Sequence, residues 1–145
     1  MSNAGSKVGY VQMKVIMQSQ QSMDVGKRLM AEFKPRNAEL EKSRKQLQEK
    51  EAALEKDAAS LSQKDYSSKL REIQYLKIDF ERKKNRQHED FLMRKQEELN
   101  NFQESINNAV NTLGQNEGYD IILYNTGGYI SQKVDVTDKV LKLIK

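Results

Sequence analysis

The residue types that most often carry enzymatic chemistry are sparse in this sequence. The single histidine, His88, lies in the polar helical stretch Arg86–Asp90, with no second imidazole to share a metal ion or a proton. Acidic pairs such as Glu97–Glu98 alternate with lysine and arginine at helical spacing, which is typical of solvated ion pairs. The chain has no cysteine, and its glycines form no phosphate-binding loop. We therefore predict that the chain is not an enzyme and uses no metal or other cofactor.

The densest positive cluster is a candidate anion site, for example for lipid headgroups, and consists of Arg82, Lys83, Lys84 and Arg86. Glu81 and Glu89 flank this basic run, so a solvated helix face is the competing explanation. The whole chain has 25 basic and 21 acidic residues, with a net charge of +4, and the two signs are intermixed. Nucleic-acid binding favours one-sided charge with interleaved aromatic residues, so nucleic acid is not an expected partner.

A long helix is predicted by five apolar residues spaced seven apart, which are Phe33, Leu40, Leu47, Leu54 and Leu61. Seven-residue spacing keeps one narrow stripe on one side of a helix, as a coiled coil requires. The second apolar position of each heptad is mostly polar or alanine. The helix therefore carries half of a coiled-coil seam and needs a neighbour.

A second long helix is predicted from about Tyr66 to Leu113, where the apolar spacing changes from seven to eleven at Phe80, Phe91, Phe102 and Leu113. Small polar residues at 61–68 separate the two helices and predict the tip of a helical hairpin. We assign residues 35–113 to this arm. The first long helix is expected to run from near Asp24 or Pro35 to about Ser60, because proline breaks or kinks a helix unless it begins one.

Strands are predicted on both sides of the hairpin. Residues 7–13 are β-prone, and Tyr119–Tyr124 is rich in β-branched and aromatic residues. Asn125–Gly128 predicts a turn that leads to a second strand at Tyr129–Ser131, forming a β-hairpin. A C-terminal helix follows within Asp135–Lys145, with acids first and lysines last, which matches the helix dipole.

The expected fold class is α+β, with a small β-rich body from which the helical hairpin protrudes. Residues 7–34 and 114–145 form the body, and residues 1–6 form a flexible start whose first four residues resemble a cloning remnant. Met13, Met17, Met23 and Met30 are expected to pack in its core, and an adaptable binding surface is the alternative. Strand residues expected to be buried in the body, where copies of the chain would meet, are Val8, Tyr10, Ile121 and Leu123.

Only 37% of the 145 residues are hydrophobic and 32% are charged, which is lean for a single-chain core and favours assembly with other copies. No stretch approaches the length of about 18 apolar residues that a membrane-spanning helix needs. Sparse apolar side chains on a highly charged helix suit transient binding of unfolded chains. The candidate contact residues on the arm are Ile73, Leu76, Phe80, Phe91, Leu92 and Met93.

Taken in order, several short motifs make the chain similar to the Skp/OmpH family of periplasmic chaperones over residues 7–145. The motifs are Lys7–Val11, Glu32–Lys34, Ala38–Leu40, Phe80-Glu81, Tyr119–Tyr124 and Asp135–Leu141. The resemblance implies a jellyfish-like homotrimer in the periplasm, which holds unfolded outer-membrane β-barrel proteins between three helical arms without ATP. The family's lipopolysaccharide site uses basic arm residues, and here only Arg86 matches one of its arginines, with Gln87 beside it.

Three other functions compete with the chaperone. A coiled-coil scaffold without client binding would explain the heptads but not the strands at both ends. A prefoldin-like chaperone would place its strands between the two helices, whereas here the strands flank them. A basic DNA-associated protein is disfavoured by the 21 acidic residues.

Overall fold

The computed structural model describes residues 5–124 and 127–144, and these are mostly helical. The chain forms two compact units. One unit, here called the hairpin unit, comprises Met30–Lys95. The other, here called the sheet unit, comprises Met1–Leu29 together with Gln96–Lys145.

The elements follow one another in a simple order. Strand β1 and helix α1 are short, and the long helices α2 and α3 each contribute residues to both units. A 3₁₀ turn separates α2 from α3, and a second one precedes α4. The bounds are β1 Val8–Val11, α1 Met13–Met17, α2 Gln20–Asp57, turn Ala58–Ser60, α3 Gln63–Glu117, β2 Ile121–Tyr124, turn Gln132–Val134 and α4 Thr137–Leu143.

The two strands of the sheet unit pair in parallel, with Val8 opposite Ile121 and Val11 opposite Tyr124. Parallel strands need a long crossover connection, and the two long helices supply it. The predicted β-hairpin is therefore wrong, because residues 129–131 form no strand and Tyr129 is 93% exposed. Of the predicted turn at 125–128, residues 125 and 126 lie outside the described part of the chain.

The core of the sheet unit is built on one face of α3. Phe102, Ile106 and Leu113 recur at helical spacing there and are buried. Val11 of β1 and Val140 of α4 pack in the same cluster and are fully buried. Burial of these side chains stabilises the unit by the hydrophobic effect, at about 25 cal/mol for each Å² of apolar surface.

Two glycines are required by the backbone of the sheet unit. Gly118 has a φ of 69° and follows the last residue of α3, as glycine commonly does where a helix ends in the left-handed conformation. The Tyr119 N–H then donates to the Gly114 carbonyl oxygen over 3.0 Å. At Gly9, a Cβ atom would lie 3.2 Å from the ring of Tyr119, so a side chain there would crowd β1.

Polar contacts join β1 to the start of α4. The Gln12 N–H donates to the Thr137 hydroxyl over 2.9 Å, and the Thr137 N–H donates to the Asp135 carboxylate over 2.9 Å. Burial raises the pKa of Asp135, but hydrogen bonds from Thr137 and Gln12 outweigh it and hold this pKa below its ordinary value. The ionised carboxylate is therefore the form that the fold stabilises.

The hairpin unit confirms the predicted heptad stripe of α2. Phe33 and Leu54 are buried, and Leu40, Leu47 and Leu61 are partly buried. Their partner in this unit is α3. The two helices run antiparallel, as shown by hydrogen bonds between residues near the start of one segment and residues near the end of the other. The pattern is that of a two-helix coiled coil with a thin apolar seam.

The structure corrects the predicted bounds of the two long helices. Helix α2 continues through Pro35, although proline inside a helix costs about 3 kcal/mol, because turns on both sides of it are held by the seam. The chain reverses at 58–62, and α3 begins at Gln63 rather than near Tyr66. The Ser62 hydroxyl accepts a hydrogen bond from the Asp65 N–H over 3.1 Å, which is the cap that starts α3.

Candidate functional site

The four strand residues predicted to be buried lie instead on an open face of the sheet. Val8 is 36% exposed, Ile121 45% and Leu123 37%, and Tyr10 is partly buried. Side chains alternate along a strand, so the opposite face carries the residues that pack on the core. We call the group Val8, Tyr10, Ile121 and Leu123 the sheet face. Their assignment to the contact between copies of the chain stays a prediction.

The parallel register brings the members of the sheet face together. Val8 is paired with Ile121, and Tyr10 with Leu123, so the four side chains form two pairs that are neighbours on the same face of the sheet. A contiguous apolar face on a two-stranded sheet is unusual on a chain that stays alone in water.

The six candidate contact residues of the hairpin unit divide into two groups. Ile73 is 6% exposed and packs in the seam, so its assignment as a client contact is wrong. Leu76, Phe80 and Phe91 are partly buried. Leu92 and Met93 are 51% and 65% exposed and remain open.

Three exposed apolar residues of the hairpin unit were not among the predicted contacts. They are Met30, Tyr75 and Ile78, which are 69%, 68% and 60% exposed. Met17, Met23 and Met30 were expected in a core, and this prediction is wrong because all three are exposed. Ile73 and Ile78 differ by five positions, which on a helix places them on different faces. The sequence could have indicated the exposure of Tyr75 and Ile78, because their positions along the helix place them off the face that carries the seam residues.

The basic cluster lies on the helix surface, and all four of its side chains are exposed. The Lys83 ammonium pairs with the Asp79 carboxylate at 2.9 Å, and this hydrogen bond raises the pKa of Lys83. Arg82, Lys84 and Arg86 form no ion pair within residues 5–124 and 127–144. The run is therefore one neutralised lysine among three solvated cations.

Ion pairs bridge the two helices along the hairpin unit. Arg36 pairs with Asp90 at 2.8 Å and Lys50 with Glu72 at 2.9 Å. Glu32 accepts from Arg94 over 2.9 Å, and this hydrogen bond lowers the pKa of Glu32. Exposed pairs of this kind contribute about 0–1 kcal/mol each, so they align the helices more than they stabilise them.

A polar pair interrupts the apolar seam. The Gln87 side-chain amide donates to the Asn37 side-chain oxygen, and Gln87 is buried. About one helical turn further from the chain reversal at 58–62, the Phe33 and Phe91 rings pack edge to face with centroids 5.2 Å apart. A buried polar pair beside an aromatic pair sets the register of the two helices, because a shifted alignment would leave the amides unpaired.

In the described part of the chain, no group of three or more histidine, cysteine or acidic residues is placed to hold a metal ion. His88 is exposed on α3. Across the residues that the structure describes, no helix has the length and hydropathy needed to cross a bilayer.

Comparison with known proteins places this architecture. The family model described as outer membrane protein (OmpH-like) matches residues 7–144. The chaperone protein Skp of Pectobacterium atrosepticum is 31% identical over 144 residues, which cover 98% of this chain and 87% of the relative. The Skp of Photorhabdus luminescens is 28% identical over 146 residues, covering 99% and 88%.

A solved structure shares the fold. The crystal structure of an OmpH-like outer membrane chaperone from Caulobacter crescentus superposes with a TM-score of 0.84 at 19% identity, covering 99% of this chain and 86% of that one. At this identity the likeness concerns the fold alone.

Proposed function

This chain belongs to the Skp/OmpH family of chaperones, and we propose that it is an ATP-independent holdase of the periplasm. Its clients are unfolded outer-membrane proteins, which it keeps from aggregating. Three copies assemble through their sheet units, and three helical hairpins enclose the client in a cavity. The predicted absence of enzymatic activity agrees with membership of a chaperone family.

The observation that carries this proposal is the exposed apolar surface of the hairpin unit. Tyr75, Ile78, Leu92 and Met93 are each more than half exposed and are surrounded by charged residues. Such scattered side chains are too few to collapse on one another, yet each can contact an apolar client residue. Many weak contacts inside one cavity add up, because confinement raises the effective concentration of every contact.

The sheet face supports the assembly. Its exposed apolar side chains are those that another copy of the chain would cover, and the sheet unit is then the trimerisation body of the proposed α+β fold. The predicted bounds of the body, 7–34 and 114–145, and of the arm, 35–113, stay predictions, and the sheet unit differs from that body by including residues 96–113 and excluding residues 30–34.

We do not propose that the basic cluster binds lipopolysaccharide. Lys83 is already paired with Asp79, and Lys84 and Arg86 line two different cavities rather than a common one. The four cations of the cluster therefore do not converge on one anionic headgroup.

A turbidity experiment tests the holdase. A urea-unfolded outer-membrane β-barrel protein is diluted into buffer without ATP, alone or with a severalfold excess of this protein. We expect aggregation to be suppressed by the protein. Unchanged turbidity would reject the function and favour a coiled-coil scaffold without client binding.

Two matched variants connect the function to the hairpin unit. In one, Tyr75, Ile78, Leu92 and Met93 are all replaced by Gln. In the control, four exposed apolar residues of the sheet unit are replaced by Gln, namely Val15, Met17, Met23 and Tyr129. Both variants are expected to keep the wild-type mass in solution, and only the first is expected to lose the ability to suppress aggregation. Equal activity of the two variants would contradict the assignment of client contacts to the hairpin unit.

A further inference from the structure

A groove in the hairpin unit lies between α2 and α3 and has a volume of about 850 Å³. Its apolar lining includes Met30, Phe33, Leu40 and Phe91. Met30 is 69% exposed, so the groove is open to solvent at that side. The volume falls in the range of about 300–1,000 Å³ that is typical of pockets for small ligands. It is large enough for a few neighbouring side chains of an extended peptide.

The rim of the groove carries positive charge only. Lys34 and Lys84 line it, together with His88, and no carboxylate does. Neither lysine forms an ion pair within the described ranges, whereas nearby cations such as Arg36 and Lys83 are paired. The groove therefore presents uncompensated ammonium groups above an apolar floor, and these complement an apolar ligand that carries negative charge.

Amide side chains distinguish between two kinds of anionic, apolar ligand. Asn37, Asn85 and Gln87 line the same groove, and the pair formed by Asn37 and Gln87 uses only part of their hydrogen-bonding capacity. A peptide backbone can bond to the remaining amide groups. An acyl chain would cover these groups without bonding to them, at a cost in free energy.

We propose that this groove docks one extended segment of an unfolded client, with an aromatic side chain on the apolar floor and flanking aspartate or glutamate residues on Lys34 and Lys84. The inference rests on the proposed holdase function and adds a local sequence preference to it. The distributed contacts of the hairpin unit hold any client, and the groove selects which segment is held there.

The test uses the full-length protein and two fluorescein-labelled dodecapeptides. One carries two phenylalanines flanked by aspartates, and the other has lysine in place of each aspartate. Fluorescence anisotropy is expected to show about tenfold tighter binding of the aspartate peptide, because two ion pairs at a partly desolvated rim favour it. Equal binding of both peptides would overturn the proposal.

Matched variants locate the binding. Met30→Glu places a carboxylate at the groove, and Ile78→Glu places the same charge at a similarly exposed apolar residue outside it. Met30→Glu is expected to weaken the aspartate peptide about fivefold to tenfold, and Ile78→Glu less than twofold. The double charge reversal Lys34→Glu with Lys84→Glu should invert the preference between the peptides. Equal effects of Met30→Glu and Ile78→Glu would overturn the groove as the site.

A titration with lipid vesicles tests whether the ligand is a lipid instead of a peptide. Phosphatidylglycerol vesicles are titrated against the protein with its bound aspartate peptide, and no displacement is expected. If the vesicles displace the peptide from the wild type but not from the Met30→Glu variant, the peptide assignment would be overturned in favour of a lipid. Failure of the groove is distinguishable from failure of the holdase, because the wild type would still suppress turbidity when only the groove is refuted.

Discussion

Replacing Ile121 by Asp is expected to dissociate the proposed trimer while each chain keeps its fold. Ile121 is 45% exposed in the single chain, and full burial of such a side chain contributes about 1.5–3 kcal/mol. Covering the exposed part in an assembly therefore contributes about 1 kcal/mol per copy. An unpaired aspartate carboxylate buried at the same place costs about 3 kcal/mol or more. The change of roughly 4 kcal/mol per copy corresponds to about 10³-fold weaker association for each copy.

Light scattering and circular dichroism together separate assembly from folding. The Ile121→Asp variant should have the mass of one chain and the helical signal of the wild type. Ile122→Asp provides one control, because Ile122 packs against the core on the other side of the sheet and its replacement should unfold the sheet unit. Ile78→Asp provides the second, since it adds the same charge to the hairpin unit and should leave the mass unchanged. An Ile121→Asp protein with the wild-type mass would refute the role of the sheet face.

The remaining predictions concern stability and client contact. Ile106→Ala should lower the free energy of unfolding in urea by about 2–5 kcal/mol, because Ile106 is fully buried; a loss below about 0.5 kcal/mol would contradict the assigned core. Asp135→Ala should lower it by about 1 kcal/mol near pH 7. Because the folded pKa of Asp135 is lowered, that difference should shrink as the pH falls below 3.8, the ordinary value, and through the folded pKa; a difference that grows in acid would contradict the hydrogen bonds. Leu92→Ser should change client affinity less than twofold, because contacts are distributed, and complete loss of holding would contradict that distribution.

The helical part of the fold was predictable because a helix repeats its side chains by geometry. The spacing of Phe33, Leu40 and Leu54 showed that one face of α2 needs a partner, and the structure confirms it. Helix α3 ends at Glu117, four residues beyond the predicted end at Leu113, and Gly118 follows it in the left-handed conformation that glycine adopts at low cost. The start of α3 had a signal that the prediction missed, namely Ser62 followed by Asp65.

The sheet could not be predicted to the same depth. β-propensity marks Ile121–Tyr124 as a strand, but it does not choose a partner, and the partner Val8–Val11 lies more than a hundred residues earlier. Neither could the buried face be chosen. Ile121 and Ile122 are identical neighbours, and only the packing of the core decides which one is covered.

The candidate site was half predictable for a related reason. Leu92 and Met93 are exposed as a client-binding surface requires, whereas Ile73 was indistinguishable from them by composition alone. Its burial depends on the crossing of α2 and α3, which the position of the Asn37–Gln87 pair helps to set. The groove between the helices arises from the same crossing, so it had no signal in either helix alone.

The most direct test of the proposed assembly is the mass of the protein in solution, measured by light scattering with and without an unfolded outer-membrane client. We predict three times the 16.8 kDa mass of one chain, and the same three copies with one client bound. A single chain of 16.8 kDa that stays folded, with no change in mass when the client is added, would contradict the enclosure of clients between three hairpins.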